Sequence, residues 1–349
     1  MAPEVTAVVV SHRSAAEALD CVRSLTEAFR HEGLAGEVVL VDCGSGSEET
    51  SRLEGSGADV FLALAENRGY SGGVNAGLSR ASSSRLLLCN ADVVFRPGGL
   101  RPLLDAVEEP AVGAAAPLAY WDAADRIRLP PGFPSGFFSD LAQLSAGRSP
   151  GRDATRFAAF ARETLALWDR GGSARHLTGA VLAVHRRVFD TVGRFDERFP
   201  FEYEETEWED RVRAAGLTLR FVAQSRVRHL WGTSAAASDD AVARRAASRR
   251  LYWGRRYGRL GLSMLGRAAR RRPLSRFPRI AEPRLAAREG AWVAVSTNPS
   301  VLPFAGAPLD RGFELPSEIV ARLPRGPLYL RAFRAADGKP IETSVWEKE

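Results

Sequence analysis

The chain is poor in the residue types that build disulfide scaffolds and CxxC-type centres. It has only three cysteines among 349 residues, and Cys21, Cys43 and Cys89 form no CxxC pair. All three fall in segments that we predict to be core elements. Reduced thiols in a cytosolic protein are therefore expected.

Long apolar runs are also absent. No run reaches the roughly 18 residues that a membrane-spanning helix requires. The opening residues, Met1-Ala2-Pro3-Glu4, lack the basic region with which a signal peptide begins. We therefore expect a cytoplasmic protein, with peripheral attachment at the inner face of a membrane as the alternative.

Lysine is almost missing, and the positive charge is unevenly placed. Only Lys339 and Lys348 occur, so nearly all positive charge is arginine. Residues 244–289 hold fifteen arginines against two glutamates, a local charge of +13, and the net charge of +6 leaves about −7 elsewhere. The helical spacing of 244–272 predicts a basic amphipathic helix that binds an anionic membrane surface, nucleic acid or another anionic partner, or packs on the acidic body. We expect a membrane surface rather than nucleic acid; a homodimer is left open.

Strands and helices alternate through the first third of the chain. Near-continuous apolar runs predict strands at 5–10, 37–41, 59–63 and 86–89. Helical spacing predicts helices at 15–30 and 48–53, and a third from a glycine-rich turn to about residue 80. This alternation indicates an α/β fold with a mostly parallel sheet covered on both faces.

The pattern is less regular after residue 97. We predict helices at 98–107, 156–168, 187–192 and 204–215, and strands at 112–118, 176–185, 219–223, 227–230, 292–296 and 328–333. Residues 126–150 are rich in proline, glycine, serine and phenylalanine, which is typical of a functional or mobile loop.

Two predicted strands end on carboxylates. Asp92 closes the run Asn90-Ala91-Asp92, and Asp42 precedes two glycines and two serines. Open α/β sheets bind ligands at the carboxyl ends of their strands. Asp92 could ligate a divalent cation and Asp42 could accept a hydrogen bond from a nucleoside. The alternatives are a solvated turn and an Asx-turn.

A glycine-rich turn opens the third predicted helix. Its spacing, Gly69-x-x-Gly72-Gly73-x-x-x-Gly77, fits neither GxGxxG nor a Walker loop, so a dehydrogenase or a P-loop enzyme is disfavoured. Backbone amides in such a turn can nevertheless hold a diphosphate at the helix N-terminus.

Further candidates lie near the end of the α/β region. Six carboxylates fall within the nine residues 202–210. Crowding raises the pKa of some of them, which suits a general base, whereas the alternative is a solvated helix face paired with Arg211 and Arg213. His229 could complete a metal shell or be structural.

Together these features resemble an inverting family 2 glycosyltransferase of the GT-A fold, near the rhamnosyltransferase-like branch. The resemblance covers roughly residues 5–234. Its motifs are Val41-Asp42-Cys43-Gly44-Ser45, the glycine-rich stretch 66–77, Asn90-Ala91-Asp92 and the long string 177–199. Two departures are Glu204-Glu205 in place of the family's usual Glu-Asp, and Ser11-His12-Arg13 in place of Thr-Tyr-Asn.

The resemblance implies a GT-A architecture with a Rossmann-like, mostly parallel sheet. The tail lies outside the resemblance, and its own residue pattern predicts a C-terminal helical and small β-rich extension. The resemblance also implies transfer of a sugar, rhamnose or a related hexose, from a nucleoside-diphosphate donor to a hydroxyl of a saccharide, lipid-linked or natural-product acceptor. Glu205, or otherwise Glu204, would be the general base, and Asp92 with His229 would hold Mg²⁺ or Mn²⁺. The donor would be bound by Ser11, Asp42, Asn67, Arg68, Gly69, Gly73, Asn75, Asn90, Ala91, Thr178, Gly179 and Ala180.

Two readings compete with an active glycosyltransferase. A sugar-nucleotide-binding or scaffold protein could retain the fold without catalysis, although the presence of Asp92, Glu205 and His229 argues against it. A nucleotidyltransferase would need a basic glycine-rich loop after the first strand, and residues 11–16 do not supply one. The expected domains are 1–240, with a nucleotide half (1–97) and an acceptor half (98–240), the Arg-rich segment 241–289 and a module at 290–349.

Overall fold

The computed structural model describes residues 2–133, 136–144, 150–231, 239–269 and 277–349. Parts of the predicted 126–150 loop and the end of the predicted 244–272 helix lie outside these ranges. The strands are β1 (Val5–Ser11), β2 (Gly36–Cys43), β3 (Val60–Leu64), β4 (Arg85–Asn90), β5 (Val93–Phe95), β6 (Val112–Tyr120), β7 (Gly172–Ala174), β8 (Val181–His185), β9 (Thr218–His229), β10 (Arg284–Leu285), β11 (Ala291–Ser296), β12 (Ala305–Pro308), β13 (Phe313–Glu314), β14 (Gly326–Arg334) and β15 (Pro340–Lys348). The helices are α1 (Ala15–Glu32), α2 (Ser47–Glu54), α3 (Gly69–Leu78), α4 (Leu100–Ala106), α5 (Phe137–Leu144), α6 (Pro150–Arg170), α7 (Arg186–Val192), α8 (Glu204–Ala214), α9 (Asp239–Ala269) and α10 (Ser317–Arg322).

A large sheet organises the first compact unit, which contains residues 2–118 and 171–252 of the described chain. Its strand order is β3-β2-β1-β4-β8-β6-β9-β5, with β7 on β9. The pairs β3–β2, β2–β1 and β1–β4 are parallel as predicted, and β8 joins β4 in the antiparallel sense. Parallel strands end at the same edge, so the ends of β1, β2 and β4 lie side by side.

Two predicted strands have different limits in the structure. The segments 219–223 and 227–230 form the single strand β9, because the polar stretch between them alternates between exposed Gln224 and Arg226 and buried Ser225, as a strand does. The strand predicted at 176–185 begins only at Val181. Leu177 cannot join the sheet there because its N–H donates to the carboxylate of Glu209.

Helix α3 packs directly on the parallel strands through its glycines. A Cβ on Gly77 would lie 2.3 Å from Cγ1 of Val8, and one on Gly73 would lie 2.5 Å from Cγ1 of Val10. Real Cβ contacts are never this short, so both positions require a missing side chain. The glycine pattern of 69–77 therefore has a packing cause that is independent of any phosphate.

The second compact unit contains residues 119–170 and 253–349 over its described parts. A four-stranded antiparallel sheet, ordered β12-β11-β14-β15, lies beside the two-stranded sheet β10–β13. Helix α6 contributes Phe157, which packs 5.3 Å from Phe333 and 5.5 Å from Phe304 between ring centroids. The aromatic core thus joins α6 to the C-terminal sheet. The domain limits expected from the sequence stay a prediction.

Some coarse expectations are met within the described residues. Cys21, Cys43 and Cys89 are free and buried. No described helix has both the length and the apolar character needed to cross a bilayer. Helix α9 occupies the predicted basic segment and breaks at Gly258, whose φ is +67°.

We expect Gly77→Ala to lower the free energy of unfolding by about 1–3 kcal/mol, because the new methyl group overpacks the buried side chain of Val8. Urea denaturation measures the change. Gly55→Ala is the matched control, since nothing lies within 4 Å of its Cβ position. Equal stability of the Gly77 variant and the wild type would contradict this account of α3 packing.

Candidate functional site

The strand ends place Ser11, Asp42 and Asn90 in neighbouring positions. Ser11 pairs with Asp42 across β1 and β2, and Val10 pairs with Asn90 across β1 and β4. Asp42 is fully buried; it accepts hydrogen bonds from the hydroxyls of Ser45 and, at 2.6 Å, Thr50. This carboxylate is therefore fixed in orientation by its own loop, and its role toward a nucleoside stays a prediction.

The glycine-rich turn begins beside the end of β2. The side-chain oxygen of Asn67 accepts a hydrogen bond from the N–H of Gly69 at 2.9 Å, and Arg68 stands at the N-cap of α3. Arg68 and Asn75 both bind the carboxylate of Glu197, at 2.5 and 2.9 Å. The two side chains thus tie α3 to the loop before α8.

Asp92 and His229 meet at the end of β4. Nε2 of His229 lies 3.3 Å from Oδ1 of Asp92, because Val93 of β5 pairs with His229 of β9. Neighbouring ligands of an octahedral cation with bonds of about 2.1 Å are roughly 3 Å apart. The two side chains are therefore close enough together that they would both be able to hold one Mg²⁺ or Mn²⁺ ion. The described residues hold no group of three or more potential ligands, so oxygens from a diphosphate would have to complete the shell.

The short loop 178–180 connects this pair to the acidic cluster. The N–H of Asn90 donates to the carbonyl of Ala180 at 2.9 Å. A Cβ built on Gly179 would lie only 3.2 Å from Cγ of Glu205. The loop thus contacts the end of β4 on one side and Glu205 on the other. Thr178 is half-buried in the same loop.

Glu204 and Glu205 open helix α8 in an environment that favours their neutral forms. Burial raises the pKa of Glu204 well above its usual range, and the neighbouring Glu205 charge adds to the effect. Burial also raises the pKa of Glu205 to about 8. Oε2 of Glu204 is buried without a hydrogen-bond partner, whereas Glu205 is half-buried beside Gly179. Glu205 is therefore the carboxylate placed against the predicted donor loop.

The remaining carboxylates of the cluster have structural partners. Glu207 pairs with Arg211 at 3.0 Å and Asp210 pairs with Arg213, as the solvated-face alternative predicted. Glu209 differs, because it is fully buried and accepts the N–H of Leu177 at 3.0 Å. Within the cluster, Glu204 and Glu209 are buried and the other four carboxylates are half-buried.

The sequence reading did not single out Tyr70 as a site residue. Its hydroxyl donates to the carbonyl of Gly179 at 3.2 Å. The pKa of Tyr70 is raised chiefly by burial and further by the charges of Cys89, Glu204, Glu205 and Asp92. The Tyr70 hydroxyl is therefore influenced by the charge of Asp92 as well as by the charges of Glu204 and Glu205. The sequence feature that could have identified Tyr70 is its position as an aromatic residue within a glycine-rich turn.

The arginines at the start of α9 also lie beside the carboxylate pair. Arg244 donates to the carbonyl of Pro200 at 2.6 Å, and Arg245 pairs with Glu202 at 2.6 Å. Glu202 and Tyr203, just before α8, both have positive φ, at +61° and +70°. Such conformations are strained for residues other than glycine and often occur at functional sites. At Arg244 and Arg245, the start of the basic helix thus packs on the acidic region before α8, which was one of the alternatives for this helix.

Comparison with known proteins agrees with the motif reading. The model of glycosyl transferase family 2 matches residues 6–165, which is 160 of the 349 residues. The resemblance to glycosyltransferase family 2 is confirmed. A curated relative, the succinoglycan biosynthesis protein ExoO of Rhizobium meliloti (strain 1021), is 34% identical over 115 residues. That alignment covers 32% of this chain and 31% of the relative.

Two solved structures show a partial likeness. GalNAc-T7 with UDP, GalNAc and Mn²⁺ matches with a TM-score of 0.48 and 17% identity, over 74% of this chain and 51% of that one. The mannosyltransferase PcManGT from Pyrobaculum calidifontis, in complex with GDP-Man and Mn²⁺, matches with a TM-score of 0.47 and 14% identity, over 77% and 74%. The predicted α/β class is confirmed: the large sheet contains the parallel run β3-β2-β1-β4, and a C-terminal helix and small antiparallel sheets follow. The family match ends before Gly179, Glu205 and His229, so their roles stay predictions.

We expect Glu205→Gln to stabilise the fold increasingly as pH rises from about 4.5 to about 8. The folded state keeps the Glu205 proton over that interval while the unfolded state releases it, so the wild type loses stability with rising pH. The variant has no such proton, and should gain about 1–3 kcal/mol at the upper end. Glu207→Gln is the control for removing one carboxylate from α8 and should not show this gain. Parallel pH–stability curves for Glu205→Gln and wild type would show that Glu205 is not buried as described.

Proposed function

We propose that the chain is an inverting glycosyltransferase that moves a sugar from a nucleoside-diphosphate donor to a hydroxyl acceptor. The observation that carries this proposal is the loop 178–180, which contacts both the strand end bearing Asp92 and the side chain of Glu205. This arrangement supports a donor site in which Asp92 and His229 would bind the diphosphate on one side of the loop and Glu205 would act on the other. A donor between them would present its anomeric carbon to an activated hydroxyl.

The residues at the strand ends would bind the donor. Asp42 and Ser11 would take the nucleoside end, and the amides at the N-terminus of α3 would face the diphosphate. Asp92 and His229 would hold Mg²⁺ or Mn²⁺, which when bound would neutralise charge that builds up on the departing diphosphate.

Glu205 would act as the general base. Its raised pKa, about 8, is close to the operating pH, which suits a group that must take up a proton in the transition state. The acceptor hydroxyl would pass its proton to Glu205 while its oxygen attacks the anomeric carbon, and the bond to the diphosphate would break on the opposite face. One such displacement inverts the configuration. Glu204, the alternative base, would serve as a supporting or acceptor-binding group.

Acceptor, donor sugar and assembly are proposed only as classes. The acceptor would be a saccharide, a lipid-linked glycan or a natural product, and the donor sugar rhamnose or a related hexose. The curated relative is named for succinoglycan biosynthesis, which is consistent with a saccharide acceptor. A homodimer stays a prediction.

A binding screen followed by a turnover assay tests the proposal. Nucleoside diphosphates with different bases are added with and without Mn²⁺, and thermal unfolding shows which of them stabilises the protein. The matching nucleotide sugars are then assayed for diphosphate release with a panel of acceptors. Stabilisation without turnover would favour the non-catalytic alternative, and no stabilisation by any nucleotide would refute donor binding.

We expect Asp92→Asn to abolish Mn²⁺-dependent stabilisation by the selected nucleotide and to lower turnover by roughly 10²-fold or more, because a neutral amide is a poor ligand for a hard cation. Asp105→Asn, which removes an exposed carboxylate on α4, is the control and should behave as wild type. Normal metal dependence in the Asp92 variant would refute the metal assignment.

We expect Glu205→Gln to lose about 10²–10⁴-fold in turnover while donor affinity, measured by calorimetry, changes little. Glu204→Gln has the same chemical change one residue earlier and should lose less. The opposite ranking would assign the base to Glu204. A large loss of donor affinity in Glu205→Gln would instead make this residue a binding group.

A further inference from the structure

The second half of helix α9 leaves an apolar edge uncovered. After the break at Gly258, Gly261, Leu265 and Ala268 are buried at helical spacing. On the other side, Leu260 is 84% exposed and Met264, one turn later, is 53% exposed. Single exposed leucines are ordinary on protein surfaces, but two large apolar side chains one turn apart call for an explanation.

Helix α5 adds a third apolar side chain to this edge. Phe138 is 82% exposed and its ring lies 5.5 Å from that of Phe137. Phe137 in turn lies 5.5 Å from the ring of Tyr257 and 3.5 Å from the Cβ position of Gly261. One aromatic ring therefore separates Phe138 from the exposed edge of α9. The same unit contains all of these residues.

The attachment of α5 to α9 is specific. Oδ2 of Asp140 accepts hydrogen bonds from Nε1 of Trp253 at 3.1 Å and from the hydroxyl of Tyr257 at 3.0 Å. These bonds fix the orientation of α5, so the exposure of Phe138 is a property of a packed helix. The outward position of this ring is thus built into the fold.

The charged side chains of α9 around this apolar edge are all positive. From Ala241 to Ala269 the helix carries eight arginines and no acidic residue. Arg259 and Arg267 are exposed beside Leu260 and Met264. Arg244 and Arg245 belong with their partners Pro200 and Glu202 to the first compact unit and are not part of this surface. We call the set Phe138, Arg259, Leu260, Met264 and Arg267 the α5–α9 patch.

We propose that the α5–α9 patch docks on an anionic lipid surface. Phenylalanine, leucine and methionine side chains next to arginine are the composition of helices that lie in a membrane interface, with the apolar groups entering the acyl boundary and the guanidinium groups pairing with phosphates. A second copy of the chain is a poorer occupant, because a symmetric contact would bring these arginines against each other. Nucleic acid is also a poorer occupant, because the three exposed apolar side chains would not contribute to binding its phosphates.

Vesicle binding tests the proposal on the full chain without any activity assay. Sedimentation is measured with phosphatidylcholine vesicles and with vesicles that also contain phosphatidylglycerol, at low and high salt. We expect binding to the anionic vesicles only, weakened by salt. The triple variant Phe138→Ser/Leu260→Ser/Met264→Ser should bind at least about tenfold more weakly. Arg259→Gln/Arg267→Gln should also lose about tenfold or more, since each arginine near such a surface contributes about a fivefold effect.

Matched controls separate the patch from general effects. Arg30→Gln/Arg80→Gln removes the same charge from exposed positions on α1 and after α3, and Val242→Ser removes another exposed apolar side chain; both should bind as wild type. Thermal unfolding checks that each variant is folded. The proposal is overturned if the wild type does not bind anionic vesicles, or if folded patch variants bind as well as wild type. It is also overturned if light scattering shows a dimer that the patch variants dissociate.

Discussion

The position of β1 between β2 and β4 is the constraint on which the candidate site depends. Parallel pairing in register brings Ser11 opposite Asp42 and Val10 opposite Asn90, so three separate stretches of sequence end at one edge. A shift of one residue would turn each of these side chains to the other face. The fully buried β1 makes such a shift costly, since its apolar side chains would lose their packing on both faces. The chemistry of the strand ends is therefore supported by apolar packing some distance below them.

Burial of charge is the second organising feature. Two adjacent carboxylates at the start of α8 lie in a poorly solvated environment, which favours the protonated form and leaves Oε2 of Glu204 without a partner. Such an arrangement lowers stability and is retained in proteins chiefly where a perturbed pKa is useful. The absence of a side chain at Gly179 is what allows the loop 178–180 to approach Glu205 this closely.

The sequence predicted the parallel part of the sheet well because its strands are buried on both faces and read as continuous apolar runs. It also predicted the proximity of Asp92 and His229, although only through the family motifs, since 137 residues separate them. Other features could not be found that way. The predicted strands 219–223 and 227–230 exclude Ser225, because its burial depends on a hydroxyl contact with the distant carbonyl of Gly99. The packing role of Gly73 and Gly77 depends on valines more than 60 residues earlier in the chain. The local sequence pattern therefore could not predict this role.

The strand order of the large sheet also has a consequence for synthesis on a ribosome. Strand β8 lies between β4 and β6, and β5 pairs only with β9, whose last residue is His229. During synthesis, Asp92 is therefore translated long before strand β9, which carries its partner His229. Until about residue 185 has left the exit tunnel, the edge of β4 that later pairs with β8 is unpaired and open to contact with other nascent chains, and β5 waits for β9 until about residue 230. Production of this protein should accordingly depend on how quickly residues 96–230 are translated and protected.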